Sequence, residues 1–151
     1  MSELRGNTAL DSSALIEYLT ASPLGSILKE YFESLTLDET VGISILSVAE
    51  TFYVLCRKHG QKFASERMAE ILSSRVIDIL NSVELAIETG KLKCKMAISV
   101  ADCSCLATAK LAKAKAIFAF RENELLREIK RGSLDDAGIV FLEDMVPDSR
   151  N

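Results

Sequence analysis

Four acidic residues occupy equivalent places along the chain. Asp11 follows Thr8-Ala9-Leu10, Glu50 follows Ser47-Val48-Ala49, Asp102 follows Ser99-Val100-Ala101, and Glu122 follows Phe120-Arg121. Each has a plainer explanation when taken alone. Asp11 and Asp102 suit helix N-termini, where a carboxylate meets free N–H groups and the positive end of the dipole. Glu50 suits the acid of a capping box begun by Ser47. Taken together they call for more. Glu50 lies between Val48-Ala49 and Phe52, and Asp102 among Ala101, Cys103, Cys105 and Leu106, so both border core-facing positions. Carboxylates gathered in such a setting repel one another and resist desolvation unless a cation neutralises them. Hard oxygen ligands without histidine or thiolate suit Mg²⁺ or Mn²⁺. Such an ion can polarise a phosphate, activate a water and stabilise a leaving oxygen. The chemistry indicated is metal-assisted phosphodiester hydrolysis.

For these acids to meet, short strands must alternate with helices. The spacing predicts strands at Thr8 to Leu10, Val41 to Leu46, Val76 to Leu80, Ala116 to Phe120 and Ile139 to Leu142. Helices are expected from Ser12 to Thr20, from Pro23 through Leu35, from Ser47 to about Gly60, and from Lys62 to Ser73. Further helices are expected from Asn81 or Ser82 to Gly90, from Val100 to Ala114, and from Glu122 to Lys130, with a polar tail after residue 142. This alternation implies βαβ units: an α/β fold of three layers, α/β/α, around a short and mostly parallel sheet of about five strands. No repeat or linker interrupts it, so residues 1–151 read as a single domain with its core at about 7–142. In open α/β sheets ligands bind outside the carboxyl ends of the strands. That is where the four acids are expected to collect.

Composition narrows the function classes. The chain has 151 residues and a net charge of −4, with 48% hydrophobic and 26% charged residues, as in an ordinary globular domain. The mild acidity argues against bulk coating of nucleic acid. No apolar run approaches the ~20 residues of a membrane span, and the first residues carry Glu3, Arg5 and Asp11 with no apolar signal core. A cytoplasmic protein without membrane contact is expected. Its cysteines, Cys56, Cys94, Cys103 and Cys105, then read as reduced thiols, the last two as small buried residues. The one histidine, His59, ends a basic Arg57-Lys58-His59-Gly60 helix terminus and cannot supply a Cys/His zinc site. No P-loop, Gly-rich nucleotide loop or nucleophile elbow is present.

The order and spacing of Thr8-Ala9-Leu10-Asp11-Ser12-Ser13-Ala14-Leu15-Ile16, Ser47-Val48-Ala49-Glu50, Ser99-Val100-Ala101-Asp102 and Phe120-Arg121-Glu122-Asn123-Glu124-Leu125 resemble the PIN-domain family. Among its members they are most similar to the VapC-type toxin ribonucleases of prokaryotic toxin–antitoxin pairs. The resemblance covers about residues 7–142. It implies a Mg²⁺- or Mn²⁺-dependent endoribonuclease in which Asp11, Glu50 and Asp102 bind metal, supported by Ser12. It also implies a small VapB-like antitoxin as partner. At the fourth position many members place Asp, whereas this chain offers Glu122, with Glu124 as the near alternative.

Between Gly90 and Arg121 stand seven basic residues and a single acid, Asp102, against 11 basic and 21 acidic residues elsewhere. Lys91, Lys93 and Lys95, alternating in an expected loop, and Arg121 are therefore candidates for contact with an RNA backbone. Lys110 and Lys113 read equally well as a solvated helix face. Arg121 could position a phosphate or pair with Glu122. The aromatics Tyr18, Tyr31, Phe32, Phe52, Tyr53 and Phe63 are mainly core candidates, and any left exposed would serve a partner or homodimer surface. Two other readings stay open: a non-catalytic RNA- or protein-binding module with a decayed metal site, and a structure-selective nuclease outside toxin systems.

Overall fold

A computed structural model describes residues 4–146; the polar tail beyond lies outside the described residues. The elements are β1 (Thr8–Leu10), α1 (Ser12–Leu19), α2 (Pro23–Glu33), β2 (Val41–Ser44), α3 (Ile45–His59) and α4 (Gln61–Ser73). They continue as β3 (Asp78–Leu80), α5 (Val83–Lys95), α6 (Val100–Ala112), β4 (Lys115–Phe118), α7 (Asn123–Lys130) and β5 (Ile139–Phe141). Short 3₁₀ turns occupy Asp136–Gly138 and Leu142–Met145. Every pairing in the sheet is parallel, in the order β3-β2-β1-β4-β5. The α/β expectation is met.

Side chains alternate across a strand, so the sheet has two faces to cover. Leu10, Val41, Ile43 and Ile117 point to one face, where Ala14, Leu15, Leu28, Leu55 and Met68 from α1 to α4 close over them. Ala9, Ala116, Phe118 and Phe141 point to the other, where Cys103, Cys105, Leu106 and Leu125 from α6 and α7 pack. Helices on both faces of a parallel sheet make the three layers. The central strand β1 is wholly buried, as a strand covered on both sides must be.

Several boundaries differ from expectation, each for a local reason. β2 ends at Ser44, whose hydroxyl accepts the N–H groups of Leu46 at 3.0 Å and Ser47 at 3.2 Å. Ser44 therefore caps α3, and the expected cap, Ser47, is buried inside the helix. The lysines at 91, 93 and 95 are not in a loop. α5 runs through Gly90 to Lys95, because a glycine in a helix costs only about 1 kcal/mol and Leu85, Thr89 and Leu92 on either side of it are packed inward. β4 stops at Phe118, leaving Phe120 exposed. Among the described residues no helix is long and apolar enough to cross a membrane.

Candidate metal centre

β1 hands directly to α1 through Asp11. Its N–H reaches the carbonyl of Ile117 on β4 at 2.9 Å, and its Oδ2 accepts the N–H of Ser13 at 3.0 Å as the helix cap. The residue is only 2% exposed, and Oδ1 is buried with no hydrogen-bond partner. Burial drives the Asp11 carboxyl above the ordinary carboxylate range against the pull of Ser13, and the nearby charge of Glu50 drives it further.

The remaining acids come from three other segments. α6 leads into β4 and so runs against the strands, which brings its N-terminus to their carboxyl edge beside Asp11. There the Asp102 N–H is held by Ser99 Oγ at 3.0 Å, and the Asp102 side chain is largely buried. Burial, then the charges of Asp11, Glu122 and Glu50, push its carboxyl up to about 8. Half-buried Glu50 projects from α3 and takes the hydroxyl hydrogen of Ser12. Glu122 caps α7 by position, makes no side-chain capping bond and stands exposed at the rim. Partial burial and the charges of Asp11, Glu124 and Glu50 raise its pKa.

The structure thus brings Asp11, Glu50, Asp102 and Glu122 to one edge of the sheet, with Ser12 attached to Glu50. Glu122 acts on Asp102, whereas Glu124 acts on Glu122 from further out. Among the described residues no three acidic, histidine or cysteine side chains already close on one point; the acids sense one another through their fields. The capping-box explanation of Glu50 falls, since Ser44 is the cap and Glu50 lies beyond the first turn. A divalent cation fits the set: the donors are hard oxygens, one of them is buried and unpartnered, and the strongest charges acting on Asp102 are all negative.

Two serines that the sequence reading passed over hold the site. Ser13 uses its N–H on Asp11 while its Oγ accepts the N–H of Ala119 at 3.0 Å, joining α1 to the end of β4. Ser99 caps α6 three residues before Asp102, a spacing that is a readable N-cap signal.

The basic candidates are more engaged than their spacing implied. Lys91 and Lys110 both pair with Glu88, at 3.0 and 2.8 Å, bracing α5 against α6. Lys93 donates to the carbonyl of Ile98 at 2.7 Å. Arg121 grips Asp144 at 2.6 to 3.0 Å and lies over the Phe141 ring. Cys103 and Cys105 are buried and His59 sits at the end of α3 against Phe63, as expected.

Comparison with known proteins agrees with the fold. The PIN domain model matches residues 8–131. Solved structures at 16–18% identity share the fold. VapC20 of Mycobacterium tuberculosis, described as a toxin cleaving the sarcin-ricin loop, aligns with a TM-score of 0.61 at 16% identity over 81% of this chain and 94% of its own. VapBC2 of Rickettsia felis, bound to promoter DNA, gives 0.63 at 18% identity over 83% and 92%. VapBC-1 of nontypeable Haemophilus influenzae gives 0.61 at 18% identity over 91% and 98%. No curated protein matches the sequence significantly. The chain belongs to the PIN-domain family, with the fold seen in VapC-type toxins.

Proposed function

We propose that this PIN-domain protein is a divalent-metal-dependent endoribonuclease, the toxin of a VapBC-type pair. The observation that carries the reading is the buried, unpartnered Oδ1 of Asp11 beside an Asp102 carboxyl pushed up to about 8 by its acidic neighbours. Acids gathered this closely resist ionising together unless a cation neutralises them. Asp11, Glu50 and Asp102 would hold Mg²⁺ or Mn²⁺, and Glu122 would complete the set from the open side. When bound, the ion supplies charge neutralisation at the phosphate and a more acidic attacking water. The chain's own part is orientation. Ser12 fixes Glu50, Ser13 fixes Asp11, and Ser99 fixes the turn bearing Asp102.

The exposed faces of Lys91, Lys93 and Lys95 at the end of α5, with Arg121 at the β4–α7 turn, offer a path for the RNA backbone. The two VapBC structures above contain toxin and antitoxin together. By that likeness a small VapB-like antitoxin is the partner here, and the toxin, one domain over residues 1–151, works as a cytoplasmic homodimer. Exposed Tyr53, Ile45 and Leu46 on α3 are available for such contacts.

Asp102→Asn tests the reading, because it removes an anionic ligand at constant size. Mn²⁺-dependent cleavage of single-stranded RNA should vanish while the circular dichroism spectrum is kept. Undiminished cleavage would exclude the site. A second reading, a binding module with a decayed site, draws on the engaged state of Lys91, Lys93 and Arg121 and the exposure of Glu122. It requires that millimolar Mn²⁺ leave the melting temperature unchanged, since a ligand of the folded state must raise it.

A further inference from the structure

Away from the carboxylate edge, α7 buries an acid. Glu128 is 1% exposed. Its Oε1 accepts the N–H of Ala97 at 3.1 Å and meets Arg131 at 3.2 Å, while Oε2 is buried without a hydrogen-bond partner. The Ala97 N–H above all, with Ser133 and Arg131, holds the carboxyl below the ordinary range. Burying a carboxylate costs free energy, and here its strongest bond goes to a backbone amide.

What that amide belongs to explains the choice. Residues 96–99 join α5 to α6, and Ser99 at their end is the cap that holds Asp102. Glu128 grips this segment at the Ala97 N–H. Lys93, from the last turn of α5, grips it at the Ile98 carbonyl. Met96 and Ile98 are buried on either side of Ala97, so the segment is anchored by its side chains and steered by these two polar bonds. α7 also carries Glu122 at its N-cap, about 9 Å along the axis from Glu128 at ~1.5 Å per residue. One helix therefore presents one acid of the cluster and fixes the segment that presents another.

We propose that Glu128 and Lys93 are positioning residues: together they fix the Ala97–Ser99 segment and so set where Asp102 stands among the other acids. This rests on the metal-site reading above. It also reassigns Lys93, whose ammonium is committed to Ile98 before any RNA arrives.

The test is Mn²⁺ affinity measured by calorimetry on the full chain, with the metal-free melting temperature recorded alongside. Removing groups that orient metal ligands typically weakens metal binding by about 10- to 100-fold. Glu128→Ala should lose about tenfold or more. Glu128→Gln, which keeps an acceptor for Ala97, should stay within about threefold of wild type. Lys93→Met, at an exposed position, should lose about three- to tenfold in Mn²⁺ affinity with no RNA present. Should Glu128→Ala fail to fold, Lys93→Met decides alone. Wild-type Mn²⁺ affinity in folded Lys93→Met overturns the inference, and so does a Glu128→Gln variant that folds yet binds as poorly as Glu128→Ala. Asp102→Asn separates the two levels. If it binds Mn²⁺ like wild type, the metal-site reading falls and this inference with it. If it loses binding while both clamp variants keep theirs, only this inference falls.

Discussion

The hydroxyl of Ser12 donates to the carboxylate of Glu50, joining the first residue of α1 to the second turn of α3 across 38 residues of sequence. Asp11 immediately precedes Ser12, so the bond locks two acids of the cluster into one frame. A hydrogen bond to a charged partner contributes about 1.5–3 kcal/mol where it is well formed, and here it also decides which way Glu50 faces.

Ser12→Ala should therefore act more on metal binding than on folding. Glu50 is half-buried and can turn to water once released. The expected outcome is a loss of about tenfold in Mn²⁺ affinity with under about 1.5 kcal/mol of destabilisation. Calorimetric titration and urea unfolding of the same variant check both halves.

The pH dependence of the metal-free protein follows from Asp102. Its folded carboxyl titrates near 8, far above the unfolded value of 3.8. Between those values the folded state holds a proton that the unfolded state has lost, so stability falls as pH rises through that window. Asp11 and Glu122, also raised, act in the same direction. The lowered Glu39, Glu88 and Glu128 act only below the ordinary glutamate value of about 4.5. Melting temperature without metal should thus decline from pH 5 to pH 8. Saturating Mn²⁺ should flatten that decline, and Asp102→Asn should reduce it even without metal. A metal-free melting temperature that rises over this range contradicts the account.

How much of this the sequence discloses depends on range. Ser99 three residues before Asp102 and Ser13 two residues after Asp11 are local signals, legible in the sequence once their caps are seen. The strand-and-helix alternation is local too, which is why the parallel α/β sheet is legible. Glu50 is different. The capping-box pattern from Ser47 pointed to a local role, but Ser44 ended the strand three residues earlier and took the cap. Glu50 was thereby left for Ser12, a partner no local pattern could name. The lysines after Gly90 went astray for a similar reason. Glycine signals a helix end, and only packing of α5 on α6 carries the helix past it. Glu128 gave no signal at all, because its value lies in an amide of the α5–α6 connection.

Leu10→Ala tests the scaffold beneath Asp11. Leu10 is fully buried beside Ile117 and Ile43 in the central strand. Truncation should cost about 2–5 kcal/mol, read as a lower urea midpoint with an unchanged slope. A cost under about 1 kcal/mol would mean that this face of the sheet is not packed as described.

Lys95 lies exposed at the last position of α5. If the end of α5 tracks the RNA backbone, Lys95→Ala should raise KM for single-stranded RNA with kcat unchanged. It should also reduce the slope of log affinity against log salt by about 0.7. An unchanged slope would remove this residue from the RNA path.

The central claim is that the acids at the carboxyl edge of the sheet form a divalent-metal site. The most direct measurement is a calorimetric titration of Mn²⁺ into wild-type protein and Asp11→Asn at pH 8, where the raised carboxyl of Asp102 no longer holds its proton firmly. The account predicts saturable binding to wild type that is lost in Asp11→Asn, with both proteins folded. Absence of binding to wild type, or equal binding by the two, would contradict it.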